Sequence, residues 1–300
     1  MMETLAAGNT ARLKGNAFIL ANALCLAVGS VLAGGYLAGI DPIVFTFHCF
    51  VLVVATTLVL RVVVYGSMSG VWASVLANRR HFILLNLATA VDWIAYFVSI
   101  KISDGALANA LLFGVAPIAA LFLSRQQTRP KIAYSVVILI LLGLLSLTYI
   151  DGTRAGGLGI YVAIAAGLVA GAAVGATTIS MKALGANHVK VIDVVLLRYL
   201  ATIAATFAIL RLIGTPAHIS FAQGVHTFWI AIVLVLVPTL LVQMGIRLLS
   251  AFNTAVISSS IPALTYVASL CFGGEFSLAR TVIFTLLSLV LLRMSTMKNL

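Results

Sequence analysis

Ten runs of about twenty residues, each nearly free of Asp, Glu, Lys and Arg, follow one another along this chain. A helix of that length crosses the ~30 Å hydrocarbon core of a bilayer. The runs fall at 15–37, 42–65, 81–100, 104–124, 132–149, 157–182, 191–213, 228–248, 253–273 and 278–294. With 62% hydrophobic and 8% charged residues and a mean hydropathy of +1.18, the chain lacks the charge to cover a water-facing surface. About a quarter of a soluble domain is charged. The pattern predicts an all-α integral membrane protein of ten transmembrane helices and excludes a soluble fold. The linkers 101–104 and 250–253 are so short that nine and eleven spans are the alternative counts.

The formal net charge of +11 does not indicate nucleic acid, because the basic residues sit at the ends of apolar runs instead of clustering on one face. They sort by side, as cytoplasmic connections do. With the N-terminus inside, one side receives Arg12, Lys14, Arg61, Arg79, Arg80, Arg125, Arg129, Lys131, Lys182, Lys190, Arg247, Arg293 and Lys298, and the other Lys101, Arg154, Arg211 and Arg280. Arg198 lies inside a span. The bias of 13 to 4 predicts that both termini are cytoplasmic. The first run is about 22 residues long, too long for a signal peptide's apolar region, and no Arg- and Ser-rich transit segment precedes it; the expected location is a bacterial plasma (inner) membrane. Tyr36, Tyr65, Tyr134, Tyr149, Tyr161 and Trp229 fall near predicted interfaces, where amphipathic rings settle. Cys25, Cys49 and Cys271 lie in apolar stretches without CxxC or Cys/His spacing; they predict neither disulfide framework nor zinc site.

Shifted by about 145 to 150 residues, the chain overlies itself weakly, as duplicated transporter halves do. The stretch 40–48, ending in His48, lies over 190–198, ending in Arg198, and 104–117 lies over 249–262, aligning Pro117 with Pro262. The expected organisation is a cytoplasmic N-terminus (1–14), a first five-helix repeat (15–152), a second (153–294) and a cytoplasmic tail (295–300). An odd number of spans per half inverts the second half relative to the first.

Three stretches carry a resemblance: Val195-Leu196-Leu197-Arg198-Tyr199, Ser258-Ser259-Ser260-Ile261-Pro262, and Phe272-Gly273-Gly274-Glu275 before the last span. Through these and its span pattern, over 15–293, the chain resembles the drug/metabolite transporter superfamily, specifically the ten-helix EamA-type exporters. The resemblance implies that spans 1 to 4 and 6 to 9 surround a central cavity with spans 5 and 10 outside it; the family includes exporters of amino acids and related metabolites, and the resemblance leaves the cargo open. Two positions depart from the family pattern: His48 stands where Arg is usual, and Arg125 where an acidic residue is often seen.

Asp92 is the ionisable side chain nearest a predicted membrane centre. A charge there costs a few kcal/mol, so it faces a cavity or a partner, or carries a proton, which makes protons the candidate coupling ion. Tyr96 shares its helical face and Trp93 adjoins it, so the three are candidates to receive an ammonium group by charge and cation–π contact. The structural alternative is an ion pair with Arg198. Arg198 cannot shed its charge and needs an anion, a carbonyl or water; a cargo carboxylate is one answer, snorkelling or helix-to-helix bonding the other. His48, Gln243, Ser259 and Tyr266 complete the candidate binding set, with Asn86, Ser258 and Ser260 as further polar groups. Pro117, Pro238 and Pro262 are expected to kink helices, the first and last as paired hinges. Gly159, Ala163, Gly167, Gly171 and Gly175 form a small-residue row for close helix packing.

These features predict a secondary-active transporter exporting small amphoteric metabolites by alternating access, monomeric or homodimeric, without cofactor or metal. The alternative is a proton-coupled exporter of lipophilic or quaternary ammonium cations centred on Asp92, Trp93 and Tyr96. An intramembrane enzyme is the remote third class: no HExxH or GxGD motif occurs and only seven acidic residues are present, so the chain is expected not to be an enzyme. No charge rings or filter repeat suggest a channel, and no GxxxxGK[ST] motif suggests ATP as driver.

Overall fold

A computed structural model describes residues 2–124, 127–150, 158–249, 254, 257–295 and 297. The side chain of Arg12, all of Arg125, Arg154 and Lys298, the 250–253 linker and the 152/153 junction lie outside the described residues. The described residues contain helices, turns and no strand, as expected where no water satisfies an open sheet edge.

The helices are α1 (Met2–Leu37), α2 (Pro42–Tyr65), α3 (Val71–Ala77), α4 (Arg79–Ile102), α5 (Gly105–Leu123), α6 (Arg129–Ile150), α7 (Leu158–Ala186), α8 (Val191–Leu197), α9 (Leu200–Ile213), α10 (Phe221–Ile230), a π-helical turn (Ala231–Leu236), α11 (Val237–Leu248), α12 (Ile261–Cys271) and α13 (Leu278–Ser295). Eight stretches are long and apolar enough to cross a membrane, the last two being α8 with α9 and α10 through α11. Their lipid-facing residues remain apolar and exposed: Val59, Val63, Ile140 and Leu147 are examples. Caps mark several boundaries. Asp41 accepts from the Ile43 and Val44 N–H groups at the start of α2, and Gly66 closes that helix at φ 69°.

Connecting-segment contacts sort into two ends. At one, Arg61 reaches Asp193, Asn187 donates to Asn78, and Arg247 donates to the Val189 carbonyl. At the other, Lys101 donates to the Leu37 and Ile40 carbonyls, Tyr36 donates to the Gln223 carbonyl, and Arg280 donates to the Thr148 carbonyl. The first is called the basic end below. Within the bundle α7 packs on α4 and α5, α1 packs on α11 and α12, α2 packs on α9, and α6 packs on α13.

Four local features differ from the sequence-based expectation. The seventh span is broken at Arg198 and Tyr199 into α8 and α9. The ninth, expected over 253–273, is helical at 254 and 257–258, turns at Ser259 and Ser260, and resumes as α12 over Ile261–Cys271, 11 residues or about 16 Å. Pro262 occupies the first turn of α12, directly after the turn at Ser259 and Ser260 that interrupts the span, a position where its missing N–H costs no bond within α12. Pro238 stands at the start of α11, directly after the π turn, whose wider backbone takes up the ring without breaking the span. The fourth difference is α3, an unforeseen short helix with Trp72 and Leu76 exposed, the composition of an interfacial segment. Pro117 does sit inside its helix.

The small-residue row of α7 lies against α5. A Cβ on Gly167 would come within 2.6 Å of Leu111, on Gly171 within 2.8 Å of the Leu112 carbonyl oxygen, and on Gly175 within 2.7 Å of Ala119. Cβ-free contact is what lets these two backbones approach.

Candidate functional site

The break in the seventh span places a guanidinium in the protein interior. Arg198 is 5% exposed; Nη1 reaches Met181 Sδ and Nη2 reaches Thr89 Oγ1, both at 3.4 Å, and Nε has no partner. These are weak, neutral contacts for a group with five donors. The irregular backbone beside it is patched from α4: Asn86 Oδ1 accepts from the Ala201 N–H at 3.1 Å.

Asp92 faces this guanidinium from α4. It is 5% exposed, makes no hydrogen bond among the described residues, and lies within electrostatic range of Arg198 without an ion-pair contact. The acid and the base are thus both buried near one another without a direct ion pair. Around them other polar groups also lack partners: Trp93 Nε1, Gln243 Nε2 and Thr202 Oγ1. Buried donors in that state are uncommon, since each costs about 1–3 kcal/mol.

Aromatic rings enclose the pair. Phe50 stacks on Tyr199 at 4.7 Å and meets Trp93 edge-on at 5.4 Å, and Trp93 meets Tyr96 at 5.7 Å. The Tyr199 hydroxyl lies 2.7 Å from Thr239 Oγ1, and Gln243 follows Thr239 by one turn on α11, which brings that helix's polar face to the site. Spacing explains part of the cluster: Thr89 and Asp92 share a face of α4.

Of the sequence-predicted set, Asp92, Trp93 and Arg198 thus come together, and Gln243 lies on α11 one turn beyond the Thr239 that meets Tyr199. Tyr96 borders them by its ring only; its hydroxyl points into a separate network, 2.7 Å from Ser30 Oγ and donating to Asn109 Oδ1 at 2.6 Å. Asn109 Nδ2 donates in turn to Ser30 Oγ at 2.9 Å and Thr265 Oγ1 at 2.8 Å, tying α1, α4, α5 and α12. His48 Nδ1 is 2.9 Å from the Val44 carbonyl oxygen, so that nitrogen carries its hydrogen and bonds its own helix. Tyr266 lies apart from them: it stacks on Phe284 of α13 at 4.8 Å and donates to the Ser277 carbonyl, because the last helix covers that face of α12. Ser259 is buried in the turn before α12. Thr89, Tyr199, Thr202 and Thr239 were missed; Thr89 precedes Asp92 by one turn and Tyr199 adjoins Arg198, which was the available signal for those two, whereas Thr239 is joined to them only by tertiary contact.

A second charged group lies in a connection. Asp104, outside both α4 and α5, caps α5 by accepting from the Leu107 N–H at 2.8 Å and also accepts from the Tyr149 hydroxyl at 3.3 Å. Burial raises its carboxyl above the usual range, opposed by those hydrogen bonds and by the Arg280 charge. Beside it a cavity of about 300 Å³ is lined by Gly34, Ile100, Lys101 and Ser269. Among the described residues no three His, Cys, Asp or Glu side chains gather as a metal site.

No family model and no curated protein matches the chain. Thirteen chains of solved structures do. One, described as "Crystal structure of protein", aligns with a TM-score of 0.61 at 18% identity over 96% of this chain and 96% of its own. What is shared is the fold.

Proposed function

We propose that this chain is a secondary-active transporter that exports small amphoteric metabolites, amino acids or their relatives, across a bacterial inner membrane by alternating access. The observation that carries the reading is the buried, unpaired juxtaposition of Asp92 and Arg198 beside three other partnerless polar groups at a helix break. A zwitterion completes this arrangement: its carboxylate satisfies Arg198 and its ammonium meets Asp92 and the faces of Trp93 and Phe50. Broken helices at ionisable residues suit such sites in transporters.

The same reading takes the chain as ten spans in two inverted five-helix repeats with both termini cytoplasmic, in keeping with the resemblance to EamA-type exporters of the drug/metabolite transporter superfamily. Packing supports the two-fold relation. If α1 exchanges with α7, α4 with α10–α11 and α5 with α12, the contacts of α7 with α4 and α5 become those of α1 with α11 and α12, while α2–α9 and α6–α13 map onto themselves. The linked connections at each end, with Arg61, Arg79, Lys190 and Arg247 together, support the charge-based orientation.

A second reading, proton-coupled export of lipophilic or quaternary ammonium cations, is favoured by one feature, the ring cluster of Phe50, Trp93, Tyr96 and Tyr199 beside Asp92. Counterflow in proteoliposomes with a panel of amino acids and quaternary amines separates the two. Amino-acid exchange lost in both Asp92→Asn and Arg198→Ala supports the first; cation exchange lost in Asp92→Asn alone replaces it with the second.

A further inference from the structure

Arg61 stands one turn from the end of α2 and Asp193 in the first turn of α8, positions from which long side chains ordinarily reach water. Both are instead buried, 1% and 5% exposed, with Nε and Oδ1 2.6 Å apart. Arg61 Nη1 also donates to the Ser67 carbonyl at 2.7 Å. The Tyr65 ring is covered by Arg61 at 4.4 Å and by Lys190 at 4.2 Å. Immediately outside the pair lies a cavity of about 180 Å³ lined by Ser69, Ser74, Asn187, His188 and Lys190. Inward along the same face of α2 follow Thr57 and Val53, both fully buried, and then Phe50, which stacks on Tyr199 next to Arg198. The line from the basic end to the candidate site thus runs between α2 and α8, and the ion pair closes it at its outer end.

We infer that Arg61 and Asp193 form the gate at the basic end: α2 and α8 must part there for the site to open to that side. This rests on the transport reading above. A buried charge pair suits a gate because its two states differ in water. Closed, each ion is compensated by the other; open, the cavity delivers water to both, so parting them strands neither charge. An apolar seal would gain nothing on opening. At the opposite end no ion pair in direct contact occurs among the described residues; the Ser30–Tyr96–Asn109–Thr265 network and Tyr36 on α10 join the helices there. Removing one partner of the pair strands the other charge only in the closed state, which biases the protein toward opening at the basic end.

The test uses the full chain with Cys25, Cys49 and Cys271 replaced and Thr57→Cys added as a reporter behind the gate, labelled in sealed vesicles by a membrane-impermeant thiol reagent applied at the basic end. Labelling is expected to be slow with the pair intact, to accelerate about tenfold or more in Asp193→Asn and Arg61→Gln, and to slow again in the charge swap Arg61→Asp/Asp193→Arg. A second reporter, Ala33→Cys, buried toward the other end, is expected not to accelerate from either side. Unchanged Thr57→Cys labelling in both single variants overturns the inference. So does equal acceleration at both reporters, which describes a loosened fold, and so does failure of the swap to restore slow labelling. The readout needs no cargo: a gate can be found where counterflow finds no exchange, and counterflow can succeed where the gate fails.

Discussion

The approach of α7 to α5 sets up a test in which the sign of the effect is the result. In a helix interior, Gly→Ala ordinarily stabilises by about 0.8–1.0 kcal/mol through backbone entropy. At Gly171 the added methyl would sit 2.8 Å from the Leu112 carbonyl oxygen and 2.8 Å from Val115 Cβ. The first is backbone in the middle of α5, so relief requires moving that helix. Overpacking of this kind costs about 1–3 kcal/mol. The difference leaves Gly171→Ala destabilising by up to about 2 kcal/mol, a fall of up to a few degrees in the thermal midpoint. Gly143 on α6 is the control, since a Cβ there meets nothing within 4 Å. Gly143→Ala is expected to stabilise by up to ~1 kcal/mol. Both are read by thermal unfolding of the purified protein in detergent. If Gly171→Ala stabilises as much as Gly143→Ala, the α5–α7 contact is looser than described and the packing argument fails.

Three further outcomes follow from the fold. Asn109→Leu removes the hub that accepts from Tyr96 and donates to Ser30 and Thr265; it is expected to lower stability by about 1–3 kcal/mol in the same melt, and a neutral result would show the network is not formed. Pro117→Ala restores a donor in the interior of α5 and is expected to raise the thermal midpoint while slowing counterflow, whereas Pro262→Ala, in a first turn, is expected to change the midpoint little; equal shifts would contradict the assigned positions. Asp104, with its carboxyl raised by burial, holds its proton more tightly in the native state than in the unfolded chain. Its contribution is therefore complete below the ordinary carboxyl range and is lost as pH rises through the raised value. Asn keeps the Oδ1 acceptor without the charge, so Asp104→Asn is expected to match the wild type at low pH and to gain on it as pH rises from the ordinary carboxyl range through the raised one; parallel melting curves would refute this.

What the sequence made legible is what hydropathy carries. Eight spans are visible as long apolar runs because lipid demands them, and the expected bounds 42–65 coincide with α2 because Asp41 caps one end and Gly66 the other. Polar residues inside spans were legible as exceptions, which singled out Asp92 and Arg198. Contacts that bridge distant segments were not. Arg61 read as an ordinary end-of-span cation, and its partner Asp193 is 132 positions away. The break at Arg198 and Tyr199 carries no Gly or Pro to announce it. Conversely, Pro238 and Pro262 announce kinks, and the backbone answers with a π turn in one case and a helix start in the other. Tyr266 looks like a site residue by composition alone; which face of α12 meets α13 is decided by packing that no local pattern encodes.

If Arg198 and Asp92 hold opposite ends of one cargo, analogues lacking either end reveal it. With an exchanged amino acid in hand, counterflow is compared with its amide, which lacks the carboxylate, and with its deaminated acid, in wild type, Arg198→Ala and Asp92→Asn. The account predicts that wild type discriminates against both analogues, that Arg198→Ala no longer distinguishes acid from amide, and that Asp92→Asn no longer distinguishes amine from its absence. Full discrimination retained in both variants would contradict it.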